Sequence, residues 1–277
     1  MDKVFKIEGH QMLVTLSGNP ANPPIFLIHG WMSHRGVWGS TIRALEEKYY
    51  CITPDLLGHG ASDKPANADY SLEAHAQRIF KLADQLGFSR FSIIGHSMGG
   101  QIALYIACNL APQRVDKLIS VAGVITGRLS DRVEKMNMKL IIFGRKWPAS
   151  YDLWRSLANF GPLMNWAFRP WFYDMKSMPL KTWETDRMVV FNRACAISYD
   201  EARKSIRATN LVKYLHKIKG PVLLIHGEND GVVPLEQATL AQDIIPNNEL
   251  ALIKKCGHFP MYEKPAQYLK ALALIFP

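Results

Sequence analysis

Three short stretches of the chain hold side chains whose types suit a shared reaction: "GHSMGG" with Ser97, "HGENDGVVP" with Glu228 and Asp230, and "CGHFP" with His258. A serine hydroxyl is a weak nucleophile until a base takes its proton. A neutral imidazole can do that and return the proton to the leaving group, while a carboxylate fixes the imidazole's tautomer and stabilises its protonated form. The set predicts acyl transfer through a covalent intermediate on Ser97. Glu228 and Asp230 both fall in the turn after one strand and read as exposed there, so the residues alone leave the choice of carboxylate open.

The serine must be held in a special way, and its surroundings say how. "RFSIIG" is β-branched and short enough for a buried strand, while "MGGQIALYIACNLA" carries Ile102, Ala103, Tyr105 and Ile106 at helical spacing. The strand turns directly into a helix at Ser97. Such a turn forces its apex into a backbone conformation that side chains disfavour, and it presses together the positions two before and two after. Gly95 and Gly99 occupy those positions. The strain lifts the hydroxyl clear of the backbone and aims the N–H of Met98 at the same point.

The rest of the chain supplies a frame. "PPIFLIHG", "YYCITPDLLGHG", "RFSIIG", "RVDKLISVAG", "GPVLLIHG" and "ELALIK" read as strands, with helical stretches such as "SLEAHAQRIFKLADQLG" and "KPAQYLKALALIF" among them. This alternation predicts an α/β fold, a mostly parallel sheet with helices on both faces. "MDKVFKIEGHQMLVTLSG" adds two short strands at the start. From 125 to 205 no strand is legible, and the stretch holds Trp147, Trp154, Trp166, Trp171 and Trp183 with six of the eleven methionines. The expected division is a core of 1–124 and 206–277 interrupted by a helical insertion, 125–205. In open parallel sheets chemistry gathers at the carboxyl ends of the strands, where all three stretches fall.

Composition narrows the classes. With 277 residues, 48% hydrophobic and 21% charged, the chain is an ordinary globular protein rather than a disordered one. No apolar run approaches the ~20 residues of a membrane span, and the N-terminus has no leader-like stretch, which argues for a cytoplasmic protein. Cys51, Cys108, Cys195 and Cys256 are widely separated, which predicts reduced thiols with neither metal nor disulfide. The absence of a G-x-G-x-x-G or a P-loop gives no reason to expect a cofactor. The net charge of +9 is scattered with alternating sign, which argues against nucleic acid as a partner. Contact between the basic, aromatic insertion and a membrane surface stays open.

Together, "HGW" after the third strand, "DLLGHGASD" after the fourth, "GHSMGG", "HGENDGVVP" and "CGHFP" make the chain resemble the α/β-hydrolase fold superfamily, of the type with a helical cap, over nearly its whole length. The resemblance implies a triad of Ser97, Asp230 and His258, with Asp230 favoured over Glu228 by the family pattern and by nearby Val233 and Pro234. It further implies an oxyanion hole formed by the backbone N–H groups of Trp31 and Met98, and it casts 125–205 as the cap. Family members that open epoxides or displace halide carry aspartate at the elbow, so Ser97 rules against both. The H-G-G-P-G segment of proline iminopeptidases is missing.

The expected activity is therefore that of a serine esterase or lipase cleaving a small-molecule carboxylic ester with an apolar or lipid-like acyl group. A carbon–carbon hydrolase of the ring-fission type is the second reading, with Arg128, Arg132, Arg145, Arg155, Arg169 or Arg193 orienting a charged dienol. A ligand-binding receptor on the same fold is the third. His29 and Gly30 read as a strand-ending turn, and Asp55, His59 and Ser62 as a loop held by its own hydrogen bonds. His96 reads as packing or tuning the elbow.

Overall fold

Apolar runs bounded by glycine, proline and polar turns build an eight-stranded sheet in the computed structural model, which describes residues 1–157, 161–179 and 186–277. Trp183 lies outside the described residues, as do the side chains of Met136, Met138 and Met164. The strands are β1 (Asp2–Ile7), β2 (His10–Ser17), β3 (Pro24–Ile28), β4 (Tyr50–Pro54), β5 (Phe91–His96), β6 (Val115–Val121), β7 (Val222–Gly227) and β8 (Asn248–Ile253). Their order across the sheet is β1-β2-β4-β3-β5-β6-β7-β8. β1 and β2 run antiparallel to their neighbours, and every pairing from β4 onward is parallel.

The central strands read as continuous apolar runs because both faces are covered. In β3, Ile25 and Leu27 enter one core cluster while Phe26 and Ile28 enter the other; in β7, Leu223 and Ile225 alternate in the same way with Val222 and Leu224. Helices α1 (Gly39–Leu45), α2 (Leu72–Gln85) and α3 (Met98–Tyr105) follow β3, β4 and β5. In α2 the Ser71 hydroxyl accepts from Ala74 N, the stripe of Leu72, Ala76, Ile79, Leu82 and Ala83 is buried, and Gly87 at φ +79° closes the end. The sequence predicts one helix over 35–49, but a 3₁₀ turn over Arg35–Trp38 precedes α1, opened by the His34 ring accepting from Gly36 N. α3 likewise gives way to one wider turn, Ile106–Leu110, before Pro112.

Between β6 and β7 the described residues hold no strand. They form α4 (Met138–Lys146), α5 (Ser150–Leu157), α6 (Gly161–Phe168) and α7 (Ala196–Ala208), with short turns between. The expected boundary at 205/206 falls inside α7, which bonds directly to the start of α2 and to the loop after β4. Leu72 N donates to Ser205 Oγ at 2.7 Å, and Ser198 Oγ donates to Gly58 O at 2.7 Å. After β7 come α8 (Glu236–Ile244) and α9 (Pro265–Leu272). All four cysteines are unbridged and buried, and burial pushes the thiols of Cys51, Cys108 and Cys256 up to about 12. Among the described residues no helix is long and apolar enough to cross a membrane, and no cluster of ligand-type side chains forms.

Candidate active site

Ser97 sits between β5 and α3 at φ 55°, ψ −117°, a left-handed conformation costing about 1–3 kcal/mol for a residue with a side chain. The glycines around it are there for space. A Cβ on Gly95 would fall 2.1 Å from Gly99 O, and one on Gly99 would fall 2.0 Å from Ile28 O. The elbow therefore closes only if both positions lack side chains. Ser97 is tied down by its own N–H donating to Val121 O at 2.9 Å.

Two N–H groups flank the serine. Met98 opens α3, so its N–H has no carbonyl one turn earlier to bond. Trp31 follows the end of β3, and among the described residues its N–H donates to no protein acceptor. Its indole is anchored separately, with Nε1–H donating to Tyr199 O at 2.9 Å. Gly30 brings this loop against the serine, since a Cβ there would lie 3.1 Å from Ser97 Cβ.

His258 follows β8 in a loop, and its Nδ1–H donates to Asp230 Oδ2 at 2.8 Å. The carboxylate of Asp230 is fully buried, where the sequence suggested an exposed turn, and Glu228 alone of the two acids is exposed. Asp230 Oδ1 accepts from Val232 N at 2.8 Å and Val233 N at 3.0 Å. Burial by itself would raise this carboxyl, but the facing rings of His258 and His226 and these N–H groups outweigh it and hold it below the usual carboxylate range. Asp230 is thus a fixed anion aimed at His258. Ser97, His258, Gly30 and Trp31 all line one cavity, with Asp230 behind the imidazole.

The cavity wall is apolar. Trp154, Leu163, Phe168, Trp171, Phe172 and Phe191 come from the stretch between β6 and β7, and Trp31, Val232 and Phe259 from the strand ends. Of the six arginines weighed as orienting groups, none lines it. Arg145 pairs with Asp200 at 2.7 Å and with Glu201, Arg155 pairs with Asp152 at 2.8 Å, and Arg132 and Arg169 border a separate groove. Its polar lining beyond Ser97 and His258 includes His34, whose Nε2 meets Asp186 Oδ1 at 2.7 Å.

Residues 23–265 match the alpha/beta hydrolase fold family. The chain belongs to that family. A pimeloyl-[acyl-carrier protein] methyl ester esterase of Nitrosomonas europaea is 29% identical over 258 residues, 92% of this chain and 96% of that one. A 2-hydroxymuconate semialdehyde hydrolase of Pseudomonas putida is 22% identical, covering 95% of this chain and 85% of the other. Among solved structures, an esterase from Exiguobacterium antarcticum superposes with a TM-score of 0.81 at 23% identity, over 99% of this chain and 98% of its own. The last likeness shows the α/β-hydrolase fold and no more.

Within this α/β-hydrolase frame several supporting residues escape sequence reasoning. Leu56 N donates to His29 Nε2 at 3.0 Å, so His29 Nδ1 carries the proton and donates to Gly30 O at 2.8 Å. Burial lowers this imidazole to about 4, keeping it neutral and clamping the loop that carries Trp31. His96 Nε2–H donates to His258 O at 2.8 Å, and burial lowers that ring to about 3, so it braces the His258 loop and is no base. A strap from the stretch between β6 and β7 holds both other loops: Gly231 N donates to Pro170 O at 3.1 Å and His258 N to Trp171 O at 2.8 Å. Glu263 ties strap to loop by accepting from Gly257 N at 2.7 Å and Tyr173 N at 2.8 Å. Asp55 and Ser62 hold their loop as expected, through Ser62 Oγ to Asp55 O at 2.7 Å and Ala61 N to Asp55 Oδ2 at 2.8 Å.

Proposed function

We propose that the protein is a serine esterase that cleaves carboxylic esters with apolar or lipid-like acyl groups through an acyl-enzyme on Ser97. His258 takes the serine proton as Oγ attacks the carbonyl carbon, and Asp230 stabilises the imidazolium that results. The N–H groups of Trp31 and Met98 receive the developing oxyanion, worth about 2.7–4 kcal/mol per donor in comparable sites. The proton passes from His258 to the departing alcohol, and water attacks the acyl-enzyme by the same steps in reverse order. Residues 125–205 serve as the cap that walls the acyl site. No cofactor enters the scheme.

The observation that carries this reading over the carbon–carbon alternative is the lining of the cavity. A charged dienol calls for a cation, and among the described residues no lysine or arginine lines the space above Ser97. An acyl chain needs only the aromatic and aliphatic wall. The receptor reading leaves the strained serine and the buried Asp230 without a use.

The test is a series of p-nitrophenyl acetate, butyrate, hexanoate and octanoate, read as kcat/KM. Each buried methylene adds ~0.8 kcal/mol, so every two carbons raise kcat/KM roughly tenfold until the wall is reached. A steep fall from acetate onward removes the apolar acyl site, and turnover confined to a dienol diketone transfers the assignment to carbon–carbon hydrolysis. Ser97→Ala abolishes labelling by a fluorophosphonate.

The cap's outer face extends the reading to where the substrate resides. Phe143, Trp147, Leu153, Trp166, Tyr173 and Met188 are large apolar side chains left exposed there. Residues 125–205 also carry fourteen Lys and Arg against eight Asp and Glu, six of the chain's nine net positive charges. Aromatic side chains among basic ones suit an anionic membrane surface, from which an acyl ester can be drawn.

A further inference from the structure

Buried hydrogen-bonding groups are nearly always paired, so the ones bordering a ligand cavity without a partner point to what the ligand brings. Among the described residues, three that line the cavity above Ser97 carry such an atom: the Tyr151 hydroxyl, Trp154 Nε1 and His96 Nδ1. His96 Nδ1 faces Gly30, where even a Cβ would lie 3.2 Å away, so packing accounts for it. Tyr151 and Trp154 have no such explanation. They are spaced i, i+3 on α5, which places them on one face of the helix.

Both groups are donors. An indole N–H can only donate. Burial pushes the Tyr151 phenol well above its ordinary range, so it keeps its proton at any working pH. The Tyr151 ring is also fixed, seated so closely on α4 that a Cβ on Gly144 would fall 2.4 Å from its Cε2, and packed with Cys195 and Tyr199. The residue is 3% exposed and the hydroxyl itself buried, so bulk water does not serve it. Two buried donors in an apolar wall, one of them held in place, call for an acceptor, and the charge state of that acceptor can be read from the rest of the lining. Among the described lining residues no lysine or arginine is present and Asp186 adds an acid, which disfavours a carboxylate.

We propose that Tyr151 and Trp154 form an oxygen-recognition subsite, so that the preferred acyl ester carries an uncharged acceptor oxygen along its chain, as a ketone, an ether or a second ester carbonyl. This rests on the esterase reading and sharpens it: the substrate is not a plain hydrocarbon chain. An alkyl chain of equal length leaves both donors unpaired in the complex, and sites built to bond a polar group discriminate most strongly against the analogue that lacks it.

The experiment compares p-nitrophenyl octanoate with the 4-, 5-, 6- and 7-oxooctanoates. At one keto position the wild-type kcat/KM exceeds that for octanoate roughly tenfold, and Tyr151→Phe and Trp154→Phe each cut that ratio severalfold. The ratio is internal to each variant, so a loss of folded protein does not imitate the effect. Octanamide and the oxooctanamides, titrated calorimetrically into the Ser97→Ala protein, show the same preference without turnover. Keto preference in that titration with no ester cleaved by the wild type would remove the esterase reading and keep the subsite. Equal kcat/KM for all chains, equal affinities in the titration, or a ratio untouched in both variants would overturn the subsite, leaving the two donors to ordered water.

Discussion

Asp230 Oδ2 lies 2.8 Å from His258 Nδ1, and the Asp230 carboxylate is buried while Glu228, two residues earlier in the same turn, is exposed. The two acids that the sequence leaves side by side are thus separated by fold alone. Asp230→Asn presents an amide that cannot stabilise an imidazolium, and kcat falls by about 10⁴-fold if the triad operates as proposed. Glu228→Gln, at the surface, stays within about twofold of wild type. Ester turnover by the two variants at equal folded concentration checks the ranking.

The elbow predicts a second contrast. Gly99→Ala puts a methyl group 2.0 Å from the Ile28 carbonyl oxygen, a backbone atom that cannot swing away, so the strand-to-helix turn must open. The expected loss exceeds about 3 kcal/mol. Gly87→Ala meets nothing within 4 Å and bears only the strain of φ +79°, which costs about 1 kcal/mol. Urea unfolding of the two variants separates steric from conformational demand.

Legibility in the sequence followed how local each constraint was. β3, β5 and β7 could be read because burial on both faces writes an unbroken apolar run, and the elbow because its geometry demands glycine at fixed offsets from Ser97. The pairing of Asp230 could not, because its partner His258 comes from a loop 28 residues further on, and the bonds that hold Gly231 and His258 in place come from Pro170 and Trp171, far back in the chain. His29 looked like a turn residue since its second partner, Leu56 N, is supplied by the end of a neighbouring strand. The start of α1 was misjudged because the His34 side chain, not helix propensity, organises that turn.

Buried histidines make stability depend on acid. His29 is lowered to about 4, and His75 and His96 to about 3, each chiefly by burial, against about 6.5 in the unfolded chain. Between those values the unfolded state binds protons that the folded state refuses, so the stability they contribute is full above about pH 6.5 and is lost as pH falls. Each takes away about 1.4 kcal/mol per pH unit across that window. His59 and His226 are lowered by burial too. Urea midpoints fall steeply from about pH 6.5 to about pH 4.5, and His75→Phe, which removes one of these groups, makes the slope shallower.

The surface of the proposed cap, residues 125–205, predicts a lipid preference. The protein sediments with vesicles containing anionic lipid and much less with zwitterionic ones, and added salt reverses the binding. Trp147→Ser with Trp166→Ser weakens it at least about fivefold, while hydrolysis of a soluble ester measures how far Trp166, which also borders the cavity, affects turnover. Equal sedimentation with both vesicle types would discard the anionic partner.

Four thiols, all buried and three of them held at about 12, give the chain an unintended clock. A thiolate is the form that alkylating reagents attack, and neither access nor deprotonation is available while the sheet is closed. Cys51 lies in β4 and Cys256 just beyond β8, so their modification waits on opening of opposite halves of the sheet, and Cys195, just before α7, waits on release of that helix. The order in which unlabelled, unmutated protein acquires alkyl adducts therefore records the order in which its parts come undone.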